Sequence, residues 1–270
     1  TPIQLTLNSH SVMLRIHQST SACDFIYYAP DVWDQGLIDV RVEPGFLQTV
    51  LTLQLSVPLY GIYPEYQNQA YTVYIKTAAA LKGSPLRIAI DAGHGGDEMG
   101  ALAPDGTPEK TLNLQHAHAL YNALQTVSFI CPLLTRETDE TVGLEERLQR
   151  AQQLKAHAFI SIHHNALPDG RDPLSEQGVS AYYYYPFAMP LAKTLQNALV
   201  AHTRFGDYGI LMDSLHVCRT MAMPSVLLEL GFLTHPNDAA LCLSASSQKQ
   251  VTDALVRGIV QFAKMDTMLP

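Results

Sequence analysis

Two hydrophobic rhythms divide this 270-residue chain, and the second sets the architecture. From Leu86 onward, apolar runs of strand length alternate with stripes spaced for helices. A buried strand is expected over 86–91 and a helix over 110–127, with Leu112, His116, Ala119, Leu120, Ala123 and Leu124 on one stripe. A strand follows near 132–135. The next helix runs from 144 to about 155, with Leu144, Leu148 and Ala151 turned inward. Strands are expected over 158–163 and 178–185, a helix over 188–203, and a buried strand over 226–230. A last helix over 246–264 carries Val251, Leu255, Ile259 and Phe262. This alternation implies an α/β domain, its sheet covered by helices on both faces. Residues with chemistry to perform should then lie just beyond strand ends.

Residues 1–80 follow the other rhythm. Ile3, Leu5 and Leu7 alternate with polar neighbours, as do Val12, Leu14 and Ile16. The runs 50–57 and 71–75 alternate in the same way. Period two buries one face of a strand and wets the other. Clusters at Pro44-Gly45 and between Pro58 and Pro64 punctuate these strands. No helical run of useful length precedes Ala78. A small all-β domain, a sandwich or part of one, fits residues 1–80. Its tyrosines suit packing on a pleated surface more than a binding face. The stretch 77–85 reads as a linker to a catalytic-type domain over 86–266.

Composition excludes several classes. Net charge is −8, against a nucleic-acid surface, and no run nears the roughly 18 apolar residues of a membrane span. Thr1-Pro2-Ile3 shows neither an initiator Met nor a signal-peptide apolar region, so the chain reads as a mature or trimmed form. Cys23, Cys131, Cys218 and Cys242 are scattered without a CxxC pair, and their disulfide state stays open. Cys131 and Cys218 read as small buried hydrophobes.

The chemistry concentrates where the expected strands end. Asp91-Ala92-Gly93-His94-Gly95-Gly96 delivers a histidine to a loop whose glycines leave room beside the ring. Glu109 follows a Pro-Asp-Gly turn and opens a helix, where the helix terminus favours a carboxylate. Ser161-Ile162-His163-His164-Asn165-Ala166 ends another strand. Successive side chains point to opposite faces, so His163 and His164 cannot serve one point. His163 is preferred because it ends the apolar run, with His164 as the alternative. His94, Glu109 and His163 then form the three-ligand set of a catalytic zinc site with one open position. Glu229, between Leu228 and Leu230, is a carboxylate in an apolar frame. Burial there raises its pKa toward the range useful to a general base.

These pieces, with Lys110, Asn113 and Leu114, with Leu134-Thr135-Arg136-Glu137-Thr138-Asp139, with Leu144, Arg147 and Ala151, and with Met223-Pro224 through Leu233, stand in an order that resembles the zinc-dependent N-acetylmuramoyl-L-alanine amidases. The resemblance covers about residues 86–264. It implies one Zn²⁺ held by His94, Glu109 and His163, a catalytic Glu229, and hydrolysis of the bond between N-acetylmuramic acid and L-alanine in peptidoglycan. It also implies work in the periplasm or cell envelope. Ala92 stands where the family often has proline. Some members carry an inserted helix that blocks the site until a partner removes it. The segment 182–191 is too short for one, and the need for a protein activator stays open. The stretch 40–75 loosely resembles the wall-targeting β-domain that precedes some of these amidases.

Asn165 and Arg219 are further candidates for contacting the peptide stem, Arg219 because guanidinium suits carboxylates. Arg147 reads as a structural ion pair, His116 as a core histidine, and Asp91 as either an orienter of a ligand histidine or a loop cap. Rival readings are another zinc hydrolase of wall glycopeptide, such as a carboxypeptidase or deacetylase, and a non-catalytic wall-binding module.

Overall fold

The computed structural model describes residues 3–17, 36–45, 47–67, 70–81 and 83–265. The N-terminal part forms a four-stranded antiparallel sheet from β1 (Ile3–Leu7), β2 (Ser11–His17), β3 (Leu37–Pro44) and β4 (Gln48–Leu55), in the order β1-β2-β4-β3. A hairpin of β5 (Leu59–Gln67) and β6 (Ala70–Thr77) follows. Sheet and hairpin share one apolar cluster, with Leu14, Leu51 and Leu53 from the first and Leu59 and Ile62 from the second. Cys23 lies outside the described residues.

The larger sheet has six strands: β7 (Leu86–Ala92), β8 (Ile130–Leu134), β9 (Ala158–Asn165), β10 (Val179–Tyr183), β11 (Asp207–Met212) and β12 (Ser225–Phe232). Their order is β11-β10-β12-β9-β7-β8. The block from β12 to β8 is parallel, and β10 runs antiparallel to β12. The helices are α1 (Glu109–Leu124), α2 (Leu144–Gln153), α3 (Met189–His202), α4 (Pro236–Cys242) and α5 (Ala245–Met265).

Alternate strand residues feed opposite faces, which is why these strands read as continuous apolar runs. Ile88, Ile90, Ile160, Ile162, Val226 and Leu228 pack with Leu112 and Leu120 of α1, Leu195 of α3 and Leu255 of α5. Ala89, Phe159 and Leu227 face the other way, onto Leu148 and Ala151 of α2 and onto Val217. The expected α/β architecture with helices on both faces is therefore present.

Several details differ from the sequence reading. Leu144 is 53% exposed rather than inward, because it opens α2 ahead of the turn that buries Leu148. The stretch from Pro58 to Pro64, read as punctuation, lies mostly in β5. Pro64 faces Val73 in a two-stranded ribbon, where an edge tolerates the missing donor. β3, β11 and α4 had no clear periodic signal. The expected linker is partly structured. Ala78 and Leu81 of its 3-10 turn are buried in the larger core, beside Tyr60, whose ring lies 5.7 Å from that of Phe262. Ile62 N–H donates to Met221 O at 2.6 Å, so the hairpin packs on the α/β part directly. Between β10 and α3 stands only a 3-10 turn, Pro186–Ala188. Cys218 and Cys242 are buried free thiols, and Cys131 is half-buried and free.

Candidate metal centre

The loop after β7 turns so tightly that His94 adopts a left-handed backbone, φ 59°. That conformation costs a non-glycine residue about 1–2 kcal/mol. Two arginines, both essentially fully buried, hold it in place. Arg147 of α2 donates to Ala92 O and His94 O, each at 2.7 Å, and pairs with Asp91 Oδ1 at 2.8 Å. Arg136 donates to Ala92 O at 2.8 Å and Gly93 O at 3.1 Å. Asp91 also accepts from the hydroxyls of Thr135 and Ser161, at 2.5 and 2.6 Å. Arg147 is thus a structural ion pair, as expected. Asp91 contacts the guanidinium and two hydroxyls, and so fixes the loop that presents His94.

Glu109 opens α1 and is buried. Its Oε2 accepts from Ala101 N–H at 3.0 Å and lies 3.1 Å from His94 Nε2. Its Oε1 accepts from His163 Nδ1 at 3.0 Å, and from Asn113 Nδ2 and His164 N–H at 3.1 Å. Burial alone would raise the Glu109 pKa. The hydrogen bonds and charges of His163 and His94 outweigh it and hold the carboxyl well below its ordinary range.

His163 and His164 leave β9 on opposite faces. His163 meets His94, ring centroids 4.9 Å apart and nearly perpendicular. His164 is buried toward α1, and burial pushes its imidazole down to about 3. His116 lies beside it at 5.3 Å and is pushed by burial down to about 4. Both rings are therefore neutral at ordinary pH.

Among the described residues, one group of His, Cys, Asp and Glu can hold a metal ion: His94, Glu109 and His163, with their ligand atoms within 4.8 Å of one another. Two imidazoles and a carboxylate are the donor set of a catalytic zinc site, and they fit a divalent ion. Glycines make the space. A Cβ at Gly93 would run into the His163 ring, and one at Gly100 into Glu109 and His94.

Glu229 stands on β12, level with His163 of β9 and on the same face. Burial pushes its carboxyl well above the usual range, and the nearby charge of Glu109 adds to that. Its Oε2 is buried without a hydrogen-bond partner among the described residues.

Residues 88–261 match the family described as N-acetylmuramoyl-L-alanine amidase. The chain belongs to this family. It is 31% identical over 218 residues to the probable cell wall amidase LytH of Staphylococcus epidermidis, covering 75% of this chain and 72% of that one. Among solved structures, an N-acetylmuramoyl-L-alanine amidase of Clostridium difficile 630 superposes with a TM-score of 0.63 at 30% identity, over 67% of this chain and 97% of that one. The amidase AmiC2 of Nostoc punctiforme gives 0.63 at 32% identity, over 67% and 99%.

Of the softer candidates, Asn165 follows His163 by two residues on β9 and so leaves the same face. Asn165 ends β9, and its Oδ1 accepts from Ala166 N–H at 2.9 Å, closing its own turn. Arg219 is exposed on the 3-10 turn His216–Arg219, 3.1 Å from His216 Nδ1. Sequence reasoning gave no specific role to Arg136 and Asn113. Their partners lie up to 51 residues away, and no local pattern reports such contacts.

Proposed function

We infer that this chain hydrolyses the amide bond between N-acetylmuramic acid and L-alanine in peptidoglycan, with Zn²⁺ held by His94, Glu109 and His163 and with Glu229 as the general base. Family membership supports the reaction. The observation that carries the residue assignment is the convergence of three ligand atoms within 4.8 Å beside a carboxylate one strand away. Zinc, when bound at such a site, lowers the pKa of water toward about 7 and polarises a carbonyl.

The chain's own residues do the rest. The Glu229 carboxylate, in an apolar frame, accepts a proton from the attacking water. The water oxygen bonds to the lactyl carbonyl carbon of the sugar. The C–N bond then breaks, and Glu229 returns its proton to the departing amine of L-alanine. The products are a free lactyl carboxylate on the glycan and a stem peptide with a free N-terminus. His94 and His163 keep their orientation because the arginine-anchored loop and the β9 backbone fix them.

Residues 86–266 form the catalytic part in this reading, and residues 1–80 a β-rich accessory part. The substrate places the work at the cell envelope. No helix of the described residues is long and apolar enough to cross a membrane. The test is chelation: metal-free protein should leave purified peptidoglycan intact, and added Zn²⁺ should restore cleavage. Full activity in metal-free protein would overturn the reading.

A further inference from the structure

The three side-chain hydrogen bonds of Asn113 all serve the group that holds the metal or its scaffold. Asn113 is fully buried on α1, one turn after Glu109. Its Nδ2 donates to Glu109 Oε1 and to Gly93 O, both at 3.1 Å. A carboxylate and a carbonyl only accept, so the amide cannot be turned the other way. Its Oδ1 therefore faces His164 Nδ1, at 2.8 Å. An amide oxygen also only accepts, so the His164 proton sits on Nδ1. His164 adds its backbone N–H to Glu109 Oε1 at 3.1 Å.

The other ring nitrogen of His164 shows that packing is not what this imidazole serves. Nε2 is buried with no hydrogen-bond partner among the described residues. An orphaned buried acceptor is destabilising, and an apolar side chain would fill the same space without that cost.

The geometry points to Asn113 and His164 as a positioning pair that fixes the Glu109 carboxylate for the metal and thereby sets how tightly the metal is held. This rests on the metal-centre reading above. His164 orients Asn113, Asn113 orients Oε1, and Ala101 N–H holds Oε2 from the other side. Partners of this kind typically change metal affinity about 10–100-fold when removed.

The test is Zn²⁺ affinity of the full chain, measured against a competing chromophoric chelator, with the melting temperature of the metal-free protein alongside. Asn113→Ala and His164→Leu should weaken Zn²⁺ binding about 10–100-fold. His164→Asn places an N–H on the atom bonded to Cγ, where Nδ1 stood, and should stay within about threefold of wild type. Packing alone predicts the reverse order, with leucine tolerated and the smaller asparagine harmful. Asn113→Ala within about twofold of wild type, or His164→Leu binding as tightly as wild type, overturns the pair. Should His164→Leu fail to fold, Asn113→Ala against His164→Asn decides the matter. A wild-type chain that takes up no zinc overturns the metal reading itself, and the pair with it. No substrate is involved, so the outcome is independent of which bond the enzyme cleaves.

Discussion

Glu229 and His163 are register partners on neighbouring parallel strands, so their side chains leave the same face of the sheet at the same level. Adjacent strands lie about 4.8 Å apart. The proposed base and a proposed ligand are therefore placed by a backbone ladder rather than by a loop. Glu229→Gln keeps the shape and removes the base. Turnover should fall about 10²–10⁴-fold while zinc content stays at one per chain. Turnover near the wild-type value with zinc bound contradicts the assignment.

Gly93 is the residue that gives the His163 ring its room. Gly93→Ala should lower zinc content sharply, because the added methyl displaces the ring of His163, a proposed ligand, while leaving far-ultraviolet circular dichroism unchanged. A variant that binds zinc as tightly as wild type would show that the ring can move without consequence.

Arg147 and Asp91 form a buried pair with side-chain exposures of 2% and 0%. Removing one partner leaves an uncompensated charge, which costs about 3–5 kcal/mol in comparable cases. Arg147→Met should lose stability of this order in denaturant unfolding, and should also weaken zinc binding because His94 O loses its anchor. A loss below about 1 kcal/mol would mean that Asp91 is sustained by Thr135 and Ser161 alone.

How much of this was legible in the sequence depends on how local each signal is. His94, His163 and Glu229 sit where apolar runs stop, so strand ends announced them. Glu109 was legible from its turn and helix start. Strand alternation allows only one of His163 and His164 at the site, the end of the apolar run favours His163, and the structure groups His163 with the other two. Contacts between distant segments were not legible. Asp91 meets Arg147 across 56 residues, a partner that its sequence neighbours do not indicate. Leu144 matched the helical stripe yet lies outside the core, because periodicity marks a face and not where the neighbouring sheet begins. β11 carries no legible strand pattern because it is a short edge strand interrupted by Gly209.

His116 predicts an acid-side sensitivity. Burial brings its imidazole from 6.5 down to about 4. The folded state binds this proton more weakly than the unfolded chain. Its contribution to stability is thus full above about pH 6.5 and is lost as pH falls toward 4. His116→Leu should flatten the decline in melting temperature between about pH 7 and pH 4.5. A decline as steep as that of wild type would assign the acid sensitivity to other groups.

The most direct measurement is mass spectrometry of the fragments released from purified sacculi by the full chain with zinc, with a chelator control. The account predicts free stem peptides beginning with L-alanine, lost when metal is removed. Cleavage within the peptide, deacetylated sugars, or release that persists without metal would contradict it.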